Sequence, residues 1–188
     1  PYQDTETYRK DLNQRYLNGE FFLKDSIKLP DSLMYKTLKT KRTVYGGGGI
    51  MPDVFVALDT TESSSYFADL IQGGHVNSFI FKYVNENRAA LLKSYPSIKE
   101  FKANFFCDAS FMDAFFTYVA KEDSTLKYNE DEYRRSENLI KLRLKSVIAQ
   151  DLWGTNEMFQ IYNDTNEILQ EAIQQIQSKN YNNFNLEK

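Results

Sequence analysis

Cysteine and histidine each occur once, as Cys107 and His75. A single cysteine excludes an intrachain disulfide and any zinc site built on cysteines. Cys107 stands in the run Phe105-Phe106-Cys107, surroundings that favour a buried, inert thiol over a nucleophile. His75 follows Gly73-Gly74 with no cysteine or carboxylate at ligand spacing, so a place at a helix end suits it better than a metal or a catalytic triad. Long apolar runs are missing as well: nothing approaches the roughly 18 residues of a membrane-spanning helix. A one-sided charge is also lacking. The 26 acidic and 23 basic residues are interspersed, and a formal net charge of -3 gives no field to gather phosphate backbones, which argues against nucleic acid as a partner. The amino end has neither the basic nor the apolar region of a secretory signal, and it starts at Pro1. The sequence is therefore expected to be a piece of a longer protein, made by processing or by cloning, whose signal or anchor would have left no trace.

What is present is core-forming material. Across 188 residues, 41% are hydrophobic, and 14 Phe and 13 Tyr supply large side chains, enough for one medium domain or a small domain with an extension.

The periodicity changes along the chain. Tyr8, Leu12 and Tyr16 recur at four-residue spacing before Asn18-Gly19, which predicts a short amphipathic helix and its stop. Between Asp31 and Leu58 the pattern alternates. Leu33, Tyr35 and Thr37, then Thr43-Val44-Tyr45 and Val54-Phe55-Val56, predict short strands around a glycine loop. From about Ser63 the spacing is helical. Val76, Phe79, Ile80, Tyr83, Val84 and Leu91 share one stripe. Ser97 with Glu100 forms a capping box, Asp108 can cap the next helix, Asn129 with Glu132 can open a long one, and Asp164 with Glu167 can open the last. The acidic trio Glu130, Asp131 and Glu132 suits the positive end of the long helix's dipole and shows no calcium-loop pattern. The expected fold is mainly α: a small strand-containing portion around a Gly-rich turn (residues 1–62), an α-helical bundle (63–178) and a fraying tail (179–188).

The least ordinary segment is Gly46-Gly47-Gly48-Gly49-Ile50-Met51-Pro52-Asp53. Four adjacent glycines cost roughly 0.5 to 1 kcal/mol each in backbone entropy against alanine, so an ordered run implies positive φ angles or a close backbone approach. A flexible linker is the plain alternative, but the apolar flanks Val44-Tyr45 and Ile50-Met51-Pro52 favour a packed loop. The phosphate-binding loop needs Lys-Ser/Thr after its glycines, and the dinucleotide fingerprint needs a glycine where Met51 stands, so neither applies.

Thr43-Val44-Tyr45 through Gly46, Gly47, Gly48, Gly49, Ile50, Met51, Pro52, Asp53 and Val54 resembles the segment of C-terminal processing (tail-specific) serine peptidases in which a glycine-rich turn precedes Ile, Pro, Asp and a hydrophobic strand. Upstream, the acidic, tyrosine-rich stretch to Tyr16 and Gly19-Glu20-Phe21-Phe22 look like an insertion carried by members from Bacteroidetes-type bacteria. Downstream, Asp59-Thr60-Thr61 and Tyr162-Asn163-Asp164 are similar to the same group's carboxyl-terminal extension.

The resemblance implies an endopeptidase with a Ser-Lys dyad in which both residues precede the glycine turn. The family's serine motif and its Gly-Lys-Gly motif do not occur here, so no catalytic residue, metal or cofactor is expected in this chain and no hydrolysis by it alone. Ser124 with Lys127 and Ser32 with Lys36 mimic a dyad only in spacing, a coincidence expected among 23 basic residues. The implied partners are protein or peptide substrates of the parent enzyme, and the implied location is the cell envelope. The load of Phe79, Phe81, Phe101, Phe105, Phe106, Phe111, Phe115 and Phe116 points to a surface for a second copy or an adaptor protein. A free-standing helical interaction or oligomerisation module is the competing reading.

Overall fold

The computed structural model describes residues 4–27, 31–46 and 52–184. Among them the chain is mainly α, with eight α-helices and one two-stranded antiparallel sheet. It divides into two compact units, Thr60–Asn166 and the combination of Pro1–Asp59 with Glu167–Lys188.

The first unit contains α1 (Thr5–Leu17), β1 (Met34–Lys36), β2 (Thr43–Tyr45) and α8 (Glu167–Gln177). Asp4 caps α1 by accepting the Thr7 N–H at 2.7 Å, and the helix stops where the sequence predicts, with Asn18 as C-cap and Gly19 in the left-handed region at φ 81°. The strands pair Met34 with Tyr45, Tyr35 with Val44 and Lys36 with Thr43. Val54-Phe55-Val56, expected as a strand, lies outside the sheet. β-branched composition favours an extended chain, but without a hydrogen-bonded neighbour it does not make a strand. No described residue of this unit is buried. Helix α8 has the expected apolar stripe, yet Ile168, Ile173 and Ile176 on it are exposed. The tail predicted to fray contains a short 3-10 helix, Asn180–Phe184.

The second unit holds α2 (Ser65–Gln72), α3 (His75–Ser94), α4 (Ile98–Asn104), α5 (Ala109–Glu122), α6 (Glu130–Leu152) and α7 (Thr155–Tyr162). Three expected caps form: Ser97 Oγ, Asp108 Oδ1 and Asn129 Oδ1 accept the N–H of Glu100, Phe111 and Glu132. Gly74 joins α2 to α3 at φ 70°, a backbone conformation that a Cβ makes costly. The long α6 packs against α2, α3 and α7, and α5 packs against α3. Every buried hydrophobic residue among those described lies here, with Leu70, Ile80, Val84, Phe101, Phe115, Ile140, Leu144 and Ile148 sealed from water.

The aromatic load is mostly absorbed by this core. Phe79 meets Tyr83, Phe111, Phe115 and Tyr118 with ring centroids at 5.2 to 6.0 Å, and Phe101 stacks on Phe105 at 4.6 Å. Phe116 packs against the edge of the core, whereas Phe81 and Phe106 remain exposed.

Candidate functional site

The glycine segment begins on the hairpin and returns to it. The Gly46 N–H donates to the Leu33 carbonyl at 2.8 Å, extending the β1–β2 ladder by one bond. The Tyr35 ring lies so close over Gly46 that a Cβ there would sit 2.8 Å from Tyr35 Cε2, so this position excludes a side chain unless the ring moves. At the far end Asp53 accepts from Arg42 Nη1 at 2.6 Å, which ties residue 53 to the strand connection. Pro52 is exposed. Gly47, Gly48, Gly49, Ile50 and Met51 lie outside the described residues.

In the helical unit the polar chemistry is spent on helix ends. Backbone N–H groups at a helix start and carbonyls at its finish lack partners within the helix, and the dipole puts positive potential at the first and negative at the second. Glu132 on α6 reaches the start of α2, accepting the Ser65 hydroxyl and the Tyr66 N–H, both at 2.7 Å. These bonds, the Ser65 hydroxyl first, hold its carboxyl below the usual range. Lys145, also on α6, donates to the carbonyls of Lys102 and Phe105 at 2.7 Å, closing the end of α4. Its ammonium lies 5.8 Å and 5.3 Å from the ring centres of Phe101 and Phe106, and burial pulls its pKa down. Lys102 on α4 donates to the Gln160 carbonyl in the last turn of α7 at 3.0 Å and to Asp164. Arg88 on α3 donates to the Asp151 carbonyl at the end of α6. An acid thus meets a helix start and three cations meet helix ends, each from another helix. Beside them the buried Ser136 hydroxyl reaches the Glu62 carbonyl at 2.7 Å and Ser64 Oγ at 2.8 Å.

The Cys107 thiol is buried, contacts the Lys141 carbonyl at 3.6 Å, and is pushed up to about 12 by burial, which leaves it protonated at neutral pH. His75 opens α3, as expected, and its Nε2 lies 3.4 Å from Asp123 Oδ2. The other carboxylate oxygen of Asp123 accepts the N–H and hydroxyl of Thr125 and the Leu126 N–H, which hold its pKa low. Ser124 and Lys127 are exposed in the connection between α5 and α6, and the Lys36 ammonium donates to Thr43 Oγ1 at 2.5 Å. Among the described residues no group of three or more His, Cys, Asp or Glu side chains is placed to hold a metal ion, and no helix is long and apolar enough to cross a membrane.

Sequence reading missed α2 and α7, each eight residues long, and all four cross-helix caps, whose partners stand 40 to 67 positions apart in the bonds of Glu132, Lys145, Lys102 and Arg88. Glu132 was visible as an acid in the first turn of α6, but its carboxylate serves α2 instead. Asp164, expected to help open α8, is engaged by Lys102.

Residues 66–154, from within α2 to the glycine preceding α7, match a family of unknown function (DUF8443). No curated protein and no solved structure matches the chain.

Proposed function

We propose that the chain is the carboxyl-terminal, non-catalytic segment of a serine peptidase of the C-terminal processing family, acting in the cell envelope on protein and peptide substrates. The observation that carries this reading is the Gly-Gly-Gly-Gly-Ile-Met-Pro-Asp run together with its anchorage: Gly46 under Tyr35 and Asp53 on Arg42 fix both ends of the segment on one hairpin. A tether would need neither anchor. The role of the segment is then to brace the hydrolase, while the helical unit offers a surface to substrate tails, a second copy or an adaptor. The test is tail-peptide cleavage by this chain and by the product of the complete reading frame. Cleavage is expected only from the complete product, with a serine among Ala and Ser and a lysine between glycines encoded ahead of Pro1; cleavage by the chain alone, or a reading frame without those motifs, overturns the reading.

A second reading, a helical protein-interaction module independent of any peptidase, is favoured by one observation. The family match is confined to the helical unit, which also contains all of the described core. The two readings separate at Gly48. A valine there disrupts a packed turn and lowers stability, but leaves a loose tether indifferent.

A further inference from the structure

The hairpin carries a one-sided, basic charge. No Asp or Glu occurs from Ser32 to Pro52, while Lys36, Lys39, Lys41 and Arg42 fall within seven positions of a chain whose net charge is -3. Asp53 takes up the charge of Arg42. Lys36, Lys39 and Lys41 are exposed, and the Lys36 ammonium donates to the neutral hydroxyl of Thr43. Between these lysines stands Leu38, 88% exposed, more than any other large apolar side chain described.

The tip is held in this shape. The Thr37 N–H donates to the Arg42 carbonyl at 2.9 Å, the Arg42 N–H donates to Thr37 Oγ1 at 3.0 Å, and the Thr37 and Thr40 hydroxyls meet at 2.9 Å. Lys41 turns the chain in the left-handed region at φ 55°, which L residues adopt rarely. Leu38 is therefore presented by a closed loop. Met34 and Tyr35, on the strand leading into that loop, are exposed as well.

We propose that the tip of the β1–β2 hairpin contacts an anionic lipid bilayer, with Leu38 entering the headgroup region and Lys36, Lys39 and Lys41 facing the lipid phosphates. Charge complementarity selects an anionic partner, and the apolar apex selects among anionic partners. A leucine at the apex gains nothing from a phosphate backbone or an acidic peptide in water, but it gains from leaving water at a membrane interface. Lysine stems beside it can lie along the apolar boundary while their ammonium groups stay among the phosphates. The contact is weak and reversible, since one leucine is a small anchor and each lysine strengthens partitioning only about fivefold. It is independent of the peptidase reading.

The experiment is cosedimentation of the chain with vesicles of phosphatidylglycerol and phosphatidylcholine in equal parts, and with phosphatidylcholine alone. Binding is expected only to the charged vesicles and is expected to fall as salt rises. Lys39→Gln with Lys41→Gln should weaken it about 25-fold, and Leu38→Ser should weaken it with an unchanged salt dependence. Lys121→Gln with Lys127→Gln, in the helical unit, should leave it unchanged. Equal binding to neutral vesicles, unchanged binding by the hairpin variants at an unchanged circular dichroism spectrum, or tighter binding to a DNA duplex or to polyglutamate overturns the proposal.

Discussion

The carboxylate of Glu132 accepts the backbone N–H of Tyr66 at 2.7 Å, so a side chain in the first turn of α6 closes the first turn of α2, 66 residues earlier in the chain. Ser64 is already the N-cap of α2 through the Phe67 N–H, and Glu132 satisfies a different donor of the same helix end. Replacing Glu132 with glutamine keeps the shape but removes the charge that faces the positive end of the α2 dipole. Glu132→Gln is expected to lower the melting temperature more than Asp131→Asn, a substitution at the exposed neighbour, and Glu132→Ala more again. Equal melting temperatures for all three would remove Glu132 from the account.

The same bond sets a pH dependence. Glu132, Glu130, Glu137 and Asp123 are all held below their ordinary values by hydrogen bonds, from the Ser65 hydroxyl, the Tyr128 hydroxyl, the Lys141 ammonium and the Thr125 hydroxyl respectively. A carboxyl depressed in the folded state adds stability above its unfolded value, 4.5 for a glutamate, and loses it as pH falls through the folded value. Melting temperature is therefore expected to be level near neutrality and to drop below about pH 4.5. Glu132→Gln should show a shallower drop than the wild type, read by circular dichroism melts across that range.

Ser136 is buried between α6 and the start of α2, where its hydroxyl meets both Ser64 and the Glu62 carbonyl. Ser136→Ala leaves the buried Ser64 hydroxyl without that partner. Urea titration is expected to show a loss of about 1 to 3 kcal/mol.

Phe101 and Phe106 stand on opposite sides of the same decision. Phe101 is sealed at 0% exposure against Tyr95, Phe105 and Trp153, while Phe106 is 71% exposed over Lys145. Phe101→Ala is expected to cost about 3 to 5 kcal/mol through lost burial and a cavity. Phe106→Ala is expected to cost no more than about 1 kcal/mol, the scale of an exposed cation–π contact.

Much of this fold was legible because helical periodicity and caps are local. Val76, Phe79, Ile80 and Val84 recur at turn spacing, and Ser97, Asp108 and Asn129 stand where their helices begin. Short helices were not legible, since eight residues give α2 and α7 too few turns for a stripe to stand out. Val54-Phe55-Val56 misled because propensity speaks for an extended backbone and says nothing of a pairing partner. The cross-helix caps were beyond reach for a different reason. Glu132, Lys145, Lys102 and Arg88 look like any solvated charge until the fold brings a helix end to each.

All of the described core lies in Thr60–Asn166, and the caps that close its helix ends come from within the same span. Those residues should therefore fold without the rest of the chain. The direct measurement is urea unfolding of the fragment 60–166 beside the full chain, followed by circular dichroism and tryptophan fluorescence at Trp153. A single cooperative transition in the fragment, coincident by both probes and close in midpoint to that of the full chain, is the expected result. A fragment that shows no cooperative transition would contradict the account, because the stabilising contacts would then have to include residues outside the helical unit.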